Sequence, residues 1–389
     1  MNKKNDALTA LTSVALLIPG FNSSARADPQ PEATSLGYRY SFYSEKDLPD
    51  NNVEQLSTTE RYEIDVHQFQ LVAPVADRYS VKADLQYETM SGASPWQTQK
   101  DSQGIPRLIM SGASIKDTRT DVAVQLSRHG DNGKWTVGYQ RSDEDDYEAN
   151  ALSVAVEWDI NNRHTTISTG ASYSDDELEP TQGTFLNAQP ITREDKQTAS
   201  VFVGVSQILG KNSLAQASLS FTRHDGYLTD PYKFNDRRPD ERDQWTLSTG
   251  YRRFFNDLDA ALHADYRFYD DDWGVNSHTL SAAWYQNLGP QWQLVPSVRY
   301  YSQDSAQFFG NEARDHEAAP FFSDDFRLST YGAVSFGLKL NYQISSWTIT
   351  FGGEQYTSNG HLGVSNVSEE APALLEFTRF TLGLDYRMD

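Results

Sequence analysis

The sequence of 389 residues contains no cysteine, which excludes a small secreted domain held together by disulfide bonds. It is short of basic side chains, with 33 Lys and Arg against 54 Asp and Glu, and the net charge of −21 disfavours binding to nucleic acid. Mean hydropathy is only −0.64. Beyond the N-terminal segment no apolar run approaches the roughly 20 residues of a membrane helix. These absences together exclude a helical membrane protein.

Aromatic residues, by contrast, are abundant, and they make up 12% of the chain with 21 Tyr and 19 Phe. A disordered acidic chain would be poor in such residues. A transmembrane β-barrel reconciles low hydropathy with many aromatics. Only the outward half of each strand must be apolar, and about 9–11 residues are enough to cross the membrane.

The N-terminal segment has the layout of a secretory signal peptide. Lys3 and Lys4 precede an apolar stretch from Ala7 to Phe21, and Ala25-Arg26-Ala27 forms a small-x-small cleavage site. The alternative is an amphipathic first helix, but this stretch is not amphipathic. We predict a cleaved signal peptide over 1–27, a barrel domain over 28–389, and a location in the outer membrane of a Gram-negative bacterium.

Segments of about ten residues alternate between apolar and polar side chains, as in strands with one face toward lipid. In "LSVAVEWDI" the residues Leu152, Val154, Val156 and Trp158 share one face. The C-terminal "FTRFTLGLDYRMD" alternates in the same way. We predict sixteen strands, with fourteen or eighteen as alternatives, at 36–44, 58–72, 78–90, 118–128, 134–142, 151–160, 164–174, 195–209, 213–223, 243–254, 259–269, 277–288, 292–302, 326–343, 346–357 and 376–388.

The connections between these segments alternate between short and long. "HGDNG", "NNR" and "GPQ" are short, whereas "HDGYLTDPYKFNDRRPDERD" is long. Outer-membrane barrels have an even number of strands, short periplasmic turns and longer extracellular loops. The fold class predicted is therefore all-β: a transmembrane antiparallel up-and-down barrel, closed by pairing of the first and last strands.

Aromatic residues near both ends of the strands predict two interfacial girdles. The C-terminal strand is similar to the terminal assembly signal of outer-membrane proteins, with Gly383, Tyr386 and Met388 as its candidate residues. One departure is that Met388 stands where the terminal aromatic residue is usual. The expected partners are outer-membrane lipid, lipopolysaccharide and the barrel-assembly machinery.

Several motifs are similar to those of a known family. They are "SGASP" at 91–95, "GYLTDPYK" at 226–233, "DYRFYDDDWGVNSHT" at 265–279, "RYYSQDSAQFF" at 299–309 and "SDDFRLSTYGAVSFGLK" at 323–339. Together they resemble an uncharacterised family of proteobacterial outer-membrane barrel proteins, over most of the mature chain. The resemblance implies no activity and no cofactor. It implies gene neighbours for a small lipoprotein, a thioredoxin-like protein and a flavin transferase, and hence a lipoprotein or periplasmic redox partner.

Charged residues of both signs fall on the predicted lumen face of the strands. Because barrels of 16–18 strands leave an aqueous channel, we predict a passive, porin-like hydrophilic pore for small solutes. The alternative is a cross-linked lumen inside a barrel that serves as the shell for a partner. The candidate lumen residues are Glu63, Asp65, His67, Lys82, Asp84, Glu88, Glu157, Asp159, Asp265, Arg267, Arg299, Lys339, Glu354, Asp385 and Arg387.

Three of the motifs fall on successive long connections. Opposite charges beside aromatic and proline residues favour a folded loop cluster over a mobile fringe. We predict that this cluster narrows the mouth or docks a partner, with a purely structural role as the alternative. Its members are Tyr227, Asp230, Lys233, Arg237, Arg238, Asp272, Trp273, Asp325 and Arg327.

Other chemistry has weak support in the sequence. The acidic segments 143–148 and 270–272 offer carboxylates to divalent cations but lack the spacing of a calcium loop. They predict a mild cation preference for any pore. The eight His show no paired ligand spacing, so no metal site is predicted. A hydrolase at the rim, using His224, Asp225, Asp272 or His278, is a second alternative, but no nucleophile elbow is present and we predict no enzyme.

Overall fold

The structure is a computed structural model that describes residues 30–55, 57–111, 115–180, 191–233, 235–311, 320–365, 367 and 370–388. The signal peptide predicted over 1–27 lies outside these residues. Within them, no helix has the length and apolar character needed to cross a membrane.

Sixteen strands form one closed antiparallel barrel, which confirms the predicted fold class and strand number. A separate two-stranded hairpin, β4 (Pro95–Lys100) and β5 (Pro106–Met110), lies in the connection between β3 and β6. The barrel strands are β1 (Ser35–Glu45), β2 (Glu63–Ala76), β3 (Tyr79–Gly92), β6 (Ile115–His129), β7 (Gly133–Glu144), β8 (Tyr147–Ile160), β9 (Thr165–Leu178), β10 (Glu194–Gly210), β11 (Ser213–Gly226), β12 (Glu241–Phe255), β13 (Ala260–Asp271), β14 (Asn276–Asn287), β15 (Trp292–Gln303), β16 (Tyr331–Ile344), β17 (Trp347–Asn359) and β18 (Glu376–Arg387).

The first and last strands close the cylinder. β1 pairs with β18 along its whole length, from Ser35 opposite Arg387 to Glu45 opposite Phe377. This pairing leaves no open strand edge in the lipid, where unpaired backbone groups would be costly.

Alternation along each strand separates an apolar exterior from a polar interior. On β8, Leu152 is 64% exposed and Trp158 is 63% exposed. Between them Ser153 and Glu157 point inward and are buried. The exposed apolar side chains of neighbouring strands lie in register and form a belt around the barrel, as contact with lipid requires.

Most strand boundaries shift by one to four residues from the sequence-based prediction, and three departures are larger in kind. Residues 58–62, predicted to open the second strand, belong to the preceding loop. Residues Phe326–Leu328, predicted to open the fourteenth strand, form a short 3-10 helix, because the Asp325 side chain accepts a hydrogen bond from the Arg327 backbone and turns the chain. The β4–β5 hairpin was not predicted, since its strands have only six and five residues.

The long connections pack against one another through two small hydrophobic cores. One contains Leu48, Ala93, Leu108, Met110 and Ala373, so it joins the β1–β2 loop, the β4–β5 hairpin and the β17–β18 loop. Phe326 of the β15–β16 loop packs against this core. The other contains Trp273, Val275, Ala306 and Leu328, with Leu228 against it. The described parts of these connections therefore pack into one layer at this end of the barrel.

Candidate functional site

The barrel interior receives most of the charged residues that the sequence assigned to it. Each lies on the face opposite the exposed apolar residues of its strand, such as Leu85, Val298, Leu338 and Phe380. That they line a conducting pore stays a prediction. The residues placed inside are Lys82, Asp84, Glu88, Glu157, Asp159, Asp265, Arg267, Arg299, Lys339, Glu354, Asp385 and Arg387.

Glu63, Asp65 and His67 lie instead on the outer face of β2, so their assignment to the lumen was wrong. They alternate in phase with Phe69, which is 47% exposed in the apolar belt. His67 pairs with Tyr87, which is 41% exposed and belongs to the extracellular aromatic girdle. Glu63 and Asp65 therefore lie above the girdle, at the headgroup level. An outward side chain need not be apolar there.

Ion pairs cross-link many of the interior charges. Arg252 and Asp265 are 2.6 Å apart, and Lys134 and Glu157 are 2.8 Å apart. Arg39 lies 3.1 Å from Asp385 across the β1–β18 seam. The interior thus combines both signs of charge, with most carboxylates held by a neighbouring cation.

Three loops meet over the mouth of the barrel, and we call this assembly the lid. It consists of the β4–β5 hairpin, the described residues of the β11–β12 loop (227–233 and 235–240) and those of the β15–β16 loop (304–311 and 320–330). Six strands, β6 to β11, separate the first of these from the second, and four strands, β12 to β15, separate the second from the third. Six more strands, β16 to β18 and β1 to β3, separate the third loop from the hairpin. Loops from such widely spaced points on the rim can meet only across the opening.

Direct contacts hold the lid together. The backbone N–H of Thr98 in the hairpin donates a hydrogen bond to Asp324. Lys233 Nζ lies 3.4 Å from Asp324 Oδ1 and 3.3 Å from the Pro95 carbonyl oxygen. Tyr232 donates a hydrogen bond to Asp146 in the β7–β8 turn. The lid is therefore anchored to several sides of the rim.

The centre of the lid is a buried ion network around Asp325, whose side chain is 1% exposed. Arg238 Nη2 lies 3.0 Å from Asp325 Oδ2, and Arg327 forms a second ion pair with the same carboxylate. Arg238 also contacts Asp236 at 2.8 Å, and Arg327 contacts Asp230 at 3.4 Å. Burial works to raise the pKa of Asp325, but the Arg327 and Arg238 guanidinium groups hold that pKa well below its usual range.

The predicted loop cluster coincides in part with this lid. Asp230, Lys233, Arg238, Asp325 and Arg327 belong to the network described above. The other four members have different contacts. The Arg237 backbone pairs with that of Phe322, and the Tyr227 backbone N–H donates a hydrogen bond to the Asp195 carbonyl at 2.9 Å. Trp273 is buried in a loop core, with the Arg242 guanidinium carbon 4.3 Å from its ring centroid. Asp272 is exposed and accepts a hydrogen bond from the Asp243 backbone N–H at 3.0 Å.

The sequence analysis missed Asp236, Asp324 and the whole β4–β5 hairpin. A signal for the hairpin is present in "DSQG" at 101–104. Asp101 accepts hydrogen bonds from the Gln103 and Ile105 backbones, and Gly104 adopts a positive φ of 79°. Glycine reaches this conformation at little cost, so the tetrapeptide is a turn signal between two short strands.

Other candidate chemistry has little geometric support within the described residues. His224 on β11 and His278 on β14 hydrogen-bond separate hydroxyls, those of Thr198 at 2.9 Å and Tyr266 at 2.8 Å. The structure thus does not bring the suggested acid and base together. One acidic cluster does form: ligand oxygens of Asp117, Glu144 and Asp146 lie within 4.8 Å of one another. Arg119 stands beside it, 3.5 Å from Glu144.

A closed barrel with an apolar belt outside and polar side chains within defines an outer-membrane β-barrel protein. Solved structures of other proteins share the fold, among them the two that follow. A bacterial polysaccharide outer membrane secretin matches with a TM-score of 0.52 at 9% identity, covering 93% of this chain and 100% of that one. CdiB from Acinetobacter baumannii matches with a TM-score of 0.51 at 10% identity, covering 92% of this chain and 60% of that one.

The sequence itself belongs to a family described as "Protein of unknown function (DUF3570)", whose model matches residues 8–373. This confirms the expected membership of an uncharacterised family. Among curated proteins, no sequence matches this chain.

Proposed function

We propose that the protein is a passive hydrophilic pore of the outer membrane whose extracellular mouth is narrowed by the lid. One observation carries the proposal: a polar, charged interior face follows the whole wall of a closed barrel of sixteen strands. Barrels of this size leave an aqueous channel. In this proposal the barrel acts by conducting solutes and not by catalysis. Export through a cleaved signal peptide over 1–27 is part of the proposal.

The lid sets the size of the solutes. Its ion network is buried, and its loops contact one another across the opening rather than standing around it. We infer that solutes pass beside the lid, so that the pore admits small molecules and excludes polymers.

Planar-bilayer recording of the purified, folded barrel tests the proposal. We expect discrete conductance steps for the unchanged protein and larger steps when residues 227–238 are replaced by a short Gly/Ser linker, because that segment supplies Lys233 and Arg238 to the lid. A linker of equal design in place of the periplasmic turn 288–291 is the matched control and should leave the step size unchanged. Silence of both the unchanged and the lid-deleted protein would contradict the pore and favour a shell for a lipoprotein or redox partner.

A further inference from the structure

Three cations on the interior face lack the ion pairs that hold most other interior charges. Arg267 on β13, Arg299 on β15 and Lys339 on β16 form no salt bridge with any part of the chain that the structure describes, and all three are exposed. By contrast, Arg252 and Arg379 on the same wall are paired with Asp265 and Glu354. The free cations thus face the open interior.

The wall around these cations is built from small residues. Arg299 pairs with Ser281 on one side and Ser335 on the other. Ser297 pairs with Gly337 one row below. Such side chains neither cover the guanidinium group nor offer it a carboxylate, so an incoming anion can reach it.

The cations are arranged from the mouth downward. Arg267 pairs with Thr279 of β14, and Arg299 pairs with Ser281 of the same strand. Thr279 is two residues nearer the mouth than Ser281, so Arg267 lies one interior row above Arg299. Lys339 lies four residues from Ser335, further toward the short-turn side. At about 3.4 Å per residue, the spacing along the strands is roughly 7 Å from Arg267 to Arg299 and roughly 14 Å from Arg299 to Lys339. A small anion can be passed from one to the next.

The acidic residues of the opposite wall, on β6, β8 and β9, do not offset the positive charge of these three cations at the surface of the lumen. Asp121 is 2% exposed, Asp176 is 5% exposed and Glu157 is 7% exposed. Asp176 lies 3.1 Å from Lys196, and Asp121 accepts a hydrogen bond from Gln140 at 2.5 Å. Their charge is therefore largely compensated and shielded from the lumen, whereas Arg267, Arg299 and Lys339 on the facing wall are exposed.

Tyrosine rings border the cationic wall. The ring centroids of Tyr301 and Tyr331 are 5.6 Å apart, and Arg267 lies 6.0 Å from the centroid of Tyr269. These rings provide flat, weakly polar surface beside the guanidinium groups. A solute with a ring and an anionic group matches both features.

We propose that the interior face of β13–β16 is a selectivity surface for small organic carboxylates, with Arg267, Arg299 and Lys339 as successive contact points. The inference rests on the proposed pore and names its substrate class. Guanidinium groups bind carboxylates through two parallel hydrogen bonds, and several weak sites in a row permit both entry and exit. The wall reverses the cation preference expected from the acidic loops alone.

The test compares two triple variants with the same change in net charge. R267Q/R299Q/K339Q removes the interior cations. R128Q/K211Q/R253Q removes three exposed cations on the outer face or a periplasmic turn. In bilayers under a potassium benzoate gradient, the unchanged protein and the second variant should prefer the anion. The interior variant should lose roughly tenfold in the benzoate-to-potassium permeability ratio, the scale expected when a charged cleft loses its local field.

Bilayer selectivity and titration calorimetry together distinguish failure of this inference from failure of the proposed pore. Conducting channels with the same selectivity in all three proteins would overturn the inference and leave the pore intact. If no protein conducts, the pore fails, and titration calorimetry of the folded barrel decides the inference. Benzoate binding that is lost in R267Q/R299Q/K339Q but kept in the other variant supports it, with benzamide as the neutral isostere. Equal binding of benzoate to both variants, or none to the unchanged protein, overturns it.

Discussion

Asp324 accepts a hydrogen bond from the backbone N–H of Thr98, although the two residues belong to loops that enter the rim six strands apart. Asp324 is 4% exposed and Thr98 is 2% exposed. A buried carboxylate that joins opposite sides of the mouth makes the lid a folded unit with its own interior. The lid can therefore be disturbed without unfolding the barrel below it.

Removing the central carboxylate of the lid should open it. In Asp325→Ala the guanidinium groups of Arg238 and Arg327 lose their shared partner while still buried, at a cost of about 3–5 kcal/mol to lid closure. We expect faster proteolysis within 227–240 and 320–330 and a larger single-channel conductance, with an unchanged melting temperature for the barrel. Asp272→Ala is the matched control, because Asp272 is exposed and outside the network. Equal proteolysis of both variants would argue against a central role for Asp325.

The lid should stay closed over a wide pH range. The pKa of Asp325 is lowered on folding, so its contribution to lid stability is present above its unfolded value of 3.8 and is lost as the pH falls through the lower folded value. For Lys233, burial works to lower the pKa, but Asp324 and Asp325 raise it above 10.5. Its contribution is present below that value and is lost as the pH rises beyond it. Proteolysis of the lid should be constant between about pH 5 and 9 and should increase below about pH 4. A transition near pH 7 would contradict this assignment.

The C-terminal strand should tolerate changes on one face and not on the other. Tyr386 faces outward and packs on Trp347 with ring centroids 4.6 Å apart, so Tyr386→Asp should cost up to about 2–4 kcal/mol, depending on depth. Asp385→Asn should be nearly neutral, because the Arg39–Asp385 pair is partly exposed. The folded fraction in the outer membrane, measured by heat-modifiable gel mobility, distinguishes the two. A similar loss in both variants would count against the proposed assembly signal of Gly383, Tyr386 and Met388.

The outer face of β2 and β3 offers a test of the corrected orientation. Asp65 lies above the aromatic girdle, whereas Leu85 lies below it in the apolar belt and is 40% exposed. Asp65→Lys should therefore fold almost normally, while Leu85→Lys should destabilise the barrel by up to about 2–4 kcal/mol, depending on its depth in the hydrocarbon. Urea titration in detergent micelles measures both. If Asp65→Lys were the more damaging change, Asp65 would have to face the interior after all.

Sequence alone predicted the barrel because its evidence is local. Alternation along "LSVAVEWDI" and the contrast between short and long connections depend only on neighbouring residues. The same local rule failed at Glu63 and Asp65, because polarity marks the inward face only at the depth of the hydrocarbon. Depth follows from strand register, such as the pairing of His67 with Tyr87, and sequence does not show it.

The sequence by itself determined the number of strands, the lipid-facing side of most of them, and a set of charged loop motifs. The tertiary structure alone decided which charges meet. Asp325 contacts Arg238 from a loop 87 residues away, and Asp324 contacts Thr98 across 226 residues. It also decided which interior cations lack a partner: Arg252 forms an ion pair with Asp265, whereas Arg267, one interior row above Asp265, forms no salt bridge among the described residues. Ion pairing depends on separations of a few ångströms between distant segments, and barrel closure sets those separations.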